Sequence, residues 1–392
     1  MEISRINHTF VENKEDMDSP FQYGKLAMGA TFVNRVHEKQ ILKNNLYSGI
    51  NTMLISPRRW GKSSLVKEAM HELMAERHDV KVCFLDVFTI RSEAEFYQTF
   101  AQAVIKATSN NWETWITHTK EFLKALSPQI TIGTDPMTDF SIGFEIHQIK
   151  ENEHELLNLP EKIAVAKGMK IIVCIDEFQN LAGLKDYEHL EGKMRSTWQH
   201  HQHVSYCLYG SKRHMMIEIF NSSSKPFYRF GQIMFLGKID KQEWVSFIVS
   251  AFKHTGKNIT EELAGIIVEK VSSHSWYVQQ LSHFVWSITK ETVTLEIINK
   301  AFQQIVDTNL PLYVAECEAL SISQLNILIA IANNEQTLTG AKVMTKYKLG
   351  TPQNVTKNKV ILQQKDILDN TPQGFLFLDP VFEYWFKKEY IK

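Results

Sequence analysis

No apolar run in the sequence approaches the ~18 residues that a membrane-crossing helix needs, which excludes a helical membrane span. Cysteine is scarce. The four present, Cys83, Cys174, Cys207 and Cys317, lie far apart without C-x-x-C spacing. Three of them sit in apolar, strand-like runs, which reads as reduced, buried thiols of a cytoplasmic protein. Charge of one sign is also missing: 43 basic residues face 44 acidic ones, for a net charge of −1. Attraction of the whole chain to nucleic acid or to an anionic membrane is therefore unavailable, and any such surface must be local. The opening stretch, MEISRINHTFVENKEDMDSP, is too polar and acidic to read as a signal peptide. There are no internal repeats or low-complexity tracts.

What is there fits a globular chain of two or three domains, with 44% hydrophobic and 22% charged residues over 392 positions. From Asn51 to Val87 the pattern reads strand, loop, helix, strand. Asn51–Ile55 is short and apolar, Ser63–Glu76 has helical spacing, and Val80–Val87 is β-rich. Lys170–Ile175 and Val204–Tyr209 are further apolar strands, the first ending at Asp176-Glu177 and the second at Gly210-Ser211. Nearly continuous apolar strands separated by helices predict a parallel sheet covered on both faces. Gln129–Ile132 and Asp139–Ile146 read as a hairpin inserted beside that sheet. After Leu236 the chain turns helical, with Lys241–Lys253, Thr260–Ser272, Trp276–Thr289 and Thr294–Asn309 as a small bundle. From about Ser321, three helical stretches and a strand signal at Phe375–Leu378 suggest a winged helix-turn-helix. The expected division is an α/β core over 1–238, a helical lid over 239–315 and a winged helix over 316–392.

Chemistry concentrates after the first strand. Ser56-Pro57-Arg58-Arg59-Trp60-Gly61-Lys62-Ser63-Ser64 leaves an apolar strand and opens an amphipathic helix, the context a phosphate-binding loop requires. A strand-to-helix loop aims backbone N–H groups and a helix N-terminus at one point. Lys62 would reach the β- and γ-phosphates of ATP, and Ser63 would place its hydroxyl on Mg²⁺. The pattern GxxxxGK[ST] begins here with Ser56 in place of glycine. The carboxylates Asp176 and Glu177 end a strand on the same sheet edge. Asp176 would hold Mg²⁺ and Glu177 would polarise the attacking water; the plainer reading of the pair is a helix cap.

With these residues in place, the chain resembles the prokaryotic P-loop ATPases of the archaeal-type AAA+/STAND group. The resemblance rests on FVNRVHEKQIL (residues 32–42), SPRRWGKSSL, IDEFQNL (175–181), YGSKRHMM (209–216) and LDPVFEYWF (378–386). It implies an AAA+-like parallel-sheet core with helical lid and winged helix. It implies that the opening segment with Arg35 packs near the adenine, and that Ser211 reads the γ-phosphate or the lytic water. Gln179 is a family-pattern residue that either orients water or faces solvent. Arg229, in PFYRF, stands one position before the family's arginine, and is either a γ-phosphate-sensing group or a structural one. Ser273–Leu281 is similar to the family's lid box but lacks its glycine and proline, leaving Tyr277 and Gln280 near the nucleotide.

Other constellations carry less. His200, His201 and His203 with Cys207 read as a helix end and loop rather than a metal site. Arg58 and Arg59 would contact phosphate, pair with acids or receive a partner, and Trp60 reads as a packing residue. Between Gly340 and Lys365 lie six lysines and no acid. Thr351–Gln364 is the candidate recognition helix for DNA, with Gln353, Asn354, Thr356, Lys357 and Asn358 suited to base or phosphate contacts. The competing reading is a winged helix that serves as a lid or protein-interaction element, meeting a protein partner or a second copy. The reading as a whole is a Mg²⁺-dependent ATPase switch, slow without a partner. Its rivals are a nucleotide-loaded scaffold with little hydrolysis and a DNA-binding regulator gated by nucleotide.

Overall fold

The computed structural model describes residues 18–109, 152–371 and 374–391. The expected hairpin over 129–146 lies outside them.

Five parallel strands form the central sheet: β1 (Thr52–Ile55), β2 (Val80–Asp86), β3 (Lys170–Asp176), β4 (Val204–Gly210) and β5 (Gln232–Phe235). Their order is β2-β3-β4-β1-β5. Neighbouring side chains alternate between faces, as strand geometry demands. Met53 and Ile55 of β1 enter one core with Ile171, Val173 and Ile175 of β3. Leu54, Ile172 and Cys174 enter the core on the other side. The first core is closed by α3 (Glu93–Thr108), α4 (Glu153–Lys167) and α5 (Tyr187–Trp198), the second by α1 (Val36–Tyr47) and α2 (Lys62–Glu76). The register β2–β3 brings Asp86 opposite Asp176, so the carboxylates stand at the carboxyl edge of the sheet. The edge strand β5, Gln-Ile-Met-Phe, is only four residues long, with Gln232 and Phe235 exposed. Sequence pattern alone passes over it.

Beyond the sheet, α6 (Arg213–Asn221) follows β4, and the chain continues through α7 (Lys241–His254), α8 (Glu261–Lys270), α9 (Ser275–Ile288) and α10 (Leu295–Glu318). The last runs 24 residues, past the expected end at Asn309 and through Pro311. Proline interrupts a helical hydrogen bond, but Tyr313 and Cys317 keep the apolar spacing and stay buried, so packing carries the helix on. α11 (Ile322–Ala332), α12 (Ala341–Tyr347), α13 (Pro352–Gln364), the antiparallel hairpin β6 (Leu368–Thr371) and β7 (Gly374–Phe377), and α14 (Pro380–Tyr390) complete the chain. A single apolar core runs from Trp244 of α7 to Phe386 of α14, so the helices after the sheet and the winged helix share one interior. All four cysteines are buried free thiols. Among the described residues, no helix is long and apolar enough to cross a membrane.

Candidate functional site

The loop after β1 is shaped by two left-handed residues, Arg59 at φ 64° and Gly61 at φ 88°. A Cβ on Gly61 would meet nothing within 4 Å, so conformation rather than space asks for glycine there. Arg59 adopts the same region at a steric cost, and its surroundings hold it. Its carbonyl accepts from Trp276 N–H at 3.2 Å, and its guanidinium lies 4.8 Å from the Trp276 ring centroid. The Trp60 carbonyl accepts from the Arg35 guanidinium at 3.0 Å and from the Ser275 hydroxyl at 3.4 Å. Ser56 is buried and turns its hydroxyl onto the Pro57 carbonyl, which lets a small side chain stand where the pattern has glycine.

Lys62 begins α2 and is buried. Its ammonium lies 3.2 Å from Asp176 Oδ1 and 3.1 Å from Glu177 Oε1. The Ser63 hydroxyl donates to Asp176 Oδ2 at 2.7 Å. Ser211, just beyond β4, donates to Glu177 Oε2 at 2.8 Å, and the Gln179 amide donates to the same oxygen at 2.6 Å. Arg58 Nε donates to the Ser211 hydroxyl at 3.4 Å. Burial acts to raise the Glu177 pKa, but Lys62 with the Gln179 and Ser211 donors holds it net below the ordinary carboxylate value. Glu177 is thus an ionised carboxylate held by three donors, at a left-handed φ of 53°.

The loop has a cavity on each side. One, about 200 Å³, is lined by Gly61–Ser64, Phe32, Trp244, Trp276 and the strap around residues 22–33. The strap is pinned by Ala27 N–H to the Ser64 hydroxyl at 3.1 Å and by Gln22 N–H to Gln279 Oε1 at 3.1 Å. The first turn of α2 leaves N–H groups without intrahelical acceptors, and these face the cavity end formed by Lys62–Ser64. Such a cradle next to a hydroxyl–carboxylate pair fits a nucleotide phosphate chain with Mg²⁺, whose preferred donors are oxygens. The other cavity, about 270 Å³, lies between Arg58, Ser211 and the winged helix. Two ion pairs bridge it: Arg58 to Asp366 at 3.3 Å and Arg213 to Asp369 at 3.2 Å. His274 and Asp379 also line it. Burial, aided by Lys238 and Arg59, pushes His274 down to about 3. Asp379 is raised by burial although Tyr277 and two backbone N–H groups donate to it.

The structure therefore brings Lys62, Ser63, Asp176, Glu177, Gln179, Ser211 and Arg58 into one network. Arg35 lines the first cavity, but its guanidinium is spent on Glu38 and on the carbonyls of Trp60 and Gly237. Arg229 stands apart, exposed and over the Tyr228 ring at 5.1 Å. Gln279 rather than Gln280 reaches the first cavity, and Tyr277 is turned to Asp379. His201 bonds Asn158 and Tyr206, and His203 pairs with Glu161. Among the described residues no group of three His, Cys, Asp or Glu could hold a metal ion. In the candidate recognition helix, Thr351 caps α13 by accepting from Asn354 N–H. Asn358 is buried and donates to the Asn354 carbonyl, so it leaves the set suited to DNA contact. The pairings of Arg213 with Asp369 and of Arg58 with Asp366 carry no local sequence signal, because they join residues over 150 positions apart.

A phosphate-type loop on β1, carboxylates at the end of β3 and a polar residue just past the strand β4 between them define a P-loop ATPase core of the AAA+ type, here with a winged helix. The chain belongs to the family of ATPase domains found predominantly in Archaea, whose model matches residues 32–281. A winged helix domain model matches residues 311–388. The Walker-type ATPase PABY2304 of Pyrococcus abyssi is similar in structure, with a TM-score of 0.63 at 16% identity over 92% of this chain and 97% of that one. The Aeropyrum pernix ORC2 protein, in ADPNP–ADP complexes, has a TM-score of 0.58 at 14% identity over 94% and 97% of the two chains. At these identities the likeness concerns the fold. No curated protein matches the chain.

Proposed function

We propose that this protein binds ATP with Mg²⁺ in the cavity beside the strap and hydrolyses it as a conformational switch. The observation that carries the reading is the convergence of Lys62, Ser63, Asp176, Glu177 and Ser211 within hydrogen-bond reach of one another. Lys62 exchanges its two carboxylates for phosphate oxygens. Ser63 and Asp176 would hold the Mg²⁺, which when bound would neutralise charge on the phosphates. Glu177 accepts a proton from the attacking water once Lys62 has left Oε1, while Ser211 and Gln179 fix its other oxygen. Arg58, on the Ser211 hydroxyl and Asp366 together, links this end of the site to the winged helix.

The test is steady-state ATPase activity of the wild type and of Glu177→Gln, with nucleotide binding measured in parallel. Hydrolysis reduced at least about 100-fold with binding retained is the expected result, typical of losing a general base. Equal rates would remove the hydrolysis reading.

A second reading is favoured by one feature: Gln353, Asn354, Thr356 and Lys357 form an exposed face at the start of α13. That face suits DNA phosphates and base edges. Duplex binding that is unchanged by Lys357→Glu at low salt would remove it.

A further inference from the structure

The turn after β3 buries a polar side chain whose hydrogen bonding is incomplete. Phe178–Gly183 is a 3-10 turn, and Phe178 and Leu181, three residues apart and so on one side of it, both enter the core with β3. Phe178 stacks on Phe220 of α6 with ring centroids 5.6 Å apart and meets Phe227 edge-on at 5.5 Å. Gln179, held between these anchors, is 0% exposed. Its amide Nε2 donates to Glu177 Oε2 at 2.6 Å, and its Oε1 has no partner. The opposite orientation of the amide would set its oxygen against the carboxylate oxygen. The bond to Glu177 therefore decides the orientation, and Oε1 is left unmet.

That oxygen lies against Gly210, the last residue of β4. Gly210 is outside the left-handed region, so space rather than conformation asks for glycine there. A methyl group on it would overlap Gln179 Oε1, and would lie 2.8 Å from Met216 Sδ and 3.0 Å from Gln179 Cδ. Because Gln179 is enclosed, the amide would have to leave Glu177 to make room. An unmet buried acceptor is costly, and a methionine of nearly the same length would avoid that cost. Unmet groups of this kind call for a reason, and the reason here is the carboxylate at the other end of the amide. We propose that Gly210 and Gln179 form one positioning pair: the glycine leaves room for the amide, and the amide aims the Glu177 carboxylate at the attacking water. This role presupposes that Glu177 is the base proposed above. Ser211 donates to the same Oε2, so the pair leaves Oε1 as the oxygen that meets the water.

The experiment measures kcat for ATP and the affinity for a fluorescent ATP analogue in the full chain. The proteins are wild type, Gln179→Met, Gly210→Ala, the double variant, and Gln179→Met in a Glu177→Gln background, each checked for folding by urea denaturation. Gln179→Met should lower kcat about 10- to 100-fold, as a small misplacement of a reacting group does, with affinity within about twofold of wild type. Its stability should not fall, since an unmet acceptor is removed. Gly210→Ala should lower kcat in the same range, and the double variant no further, because both changes break one contact. In the Glu177→Gln background Gln179→Met should change nothing. A wild-type kcat in either single variant overturns the proposal. So does a fall that persists in the Glu177→Gln background, or an affinity that falls as far as kcat. If Gly210→Ala does not fold, Gln179→Met alone decides. A wild type without Glu177-dependent hydrolysis overturns this role and the ATPase reading together. Hydrolysis that needs Glu177 but is unmoved by Gln179→Met overturns the positioning pair alone.

Discussion

The P-loop has two flanks, and they are built from different interactions. On the strap side, neutral hydrogen bonds and apolar contacts hold Gln22, Ala27 and Thr31 to Gln279 and Ser64 over a cavity walled by Phe32, Trp244 and Trp276. On the winged-helix side, two ion pairs, Arg58–Asp366 and Arg213–Asp369, span the gap beside Ser211. Neutral buried bonds are insensitive to salt, whereas partly exposed ion pairs are screened and individually weak. The strap side is therefore suited to gripping a ligand. The winged-helix side is suited to letting go.

Lys62 lines the strap-side cavity and pairs with both carboxylates, and its loss should have the largest effect. Lys62→Ala should weaken ATP binding at least about 100-fold, since a buried charge-assisted contact to phosphate disappears. Titration with a fluorescent ATP analogue checks this. An affinity within a few-fold of wild type would detach the strap cavity from the nucleotide.

The next effect in size belongs to pH. His274 lines the winged-helix side and is 5% exposed, with Nδ1 unpartnered. Its folded pKa, about 3, lies below the unfolded value near 6.5. The folded state therefore resists the proton that the unfolded state accepts. Stability is full above the unfolded value and falls as pH drops from there toward about 3. Between pH 7 and pH 5 the loss from this residue should be about 2 kcal/mol. Urea denaturation of wild type and His274→Phe at the two pH values measures it; an equal pH dependence in both would assign the acid sensitivity elsewhere, with half-buried His201 the next candidate.

On the strap side, Gln279→Ala leaves the Gln22 N–H and the Thr31 carbonyl without their partners. Unmet bonds of this kind cost about 1–3 kcal/mol each when buried, and these two are partly buried. The strap should loosen and ATP affinity fall about tenfold. The fall should be the same at low and high salt, which titration at both strengths tests.

These two flanks were not equally legible in the sequence. The apolar runs of β1 to β4, Gly61-Lys62-Ser63 and Asp176-Glu177 announce the sheet and its active edge because periodicity and local spacing encode them. The hairpin strand β6, Leu-Asp-Asn-Thr, has turn composition and is a strand only because β7 pairs with it. Asp366 and Asp369 carry no local pattern that sets them apart from solvated acids, and nothing near them marks arginines far upstream as their partners. Asn358 shows the opposite failure, a residue polar enough for DNA contact that faces the core instead. Local chemistry is written locally; which surfaces close on each other is decided by the tertiary fold.

The smallest expected effect is the one that most sharpens the comparison. Arg58 is 53% exposed and Asp366 28%, so their pair should contribute only about 0.2–1 kcal/mol at low salt. Asp366→Asn removes the charge while keeping the shape, and global stability should scarcely move. Yet Arg58 also donates to Ser211, which holds Glu177. Freed of Asp366, Arg58 is available to the phosphate end of the site, and ATP affinity should rise about twofold to fivefold at low salt, within the same energy range. Raising the salt to about 0.5 M screens the wild-type pair and should close the gap between the two proteins. A variant whose ATP affinity equals wild type at low salt would mean that the winged helix rests against the P-loop without restraining it.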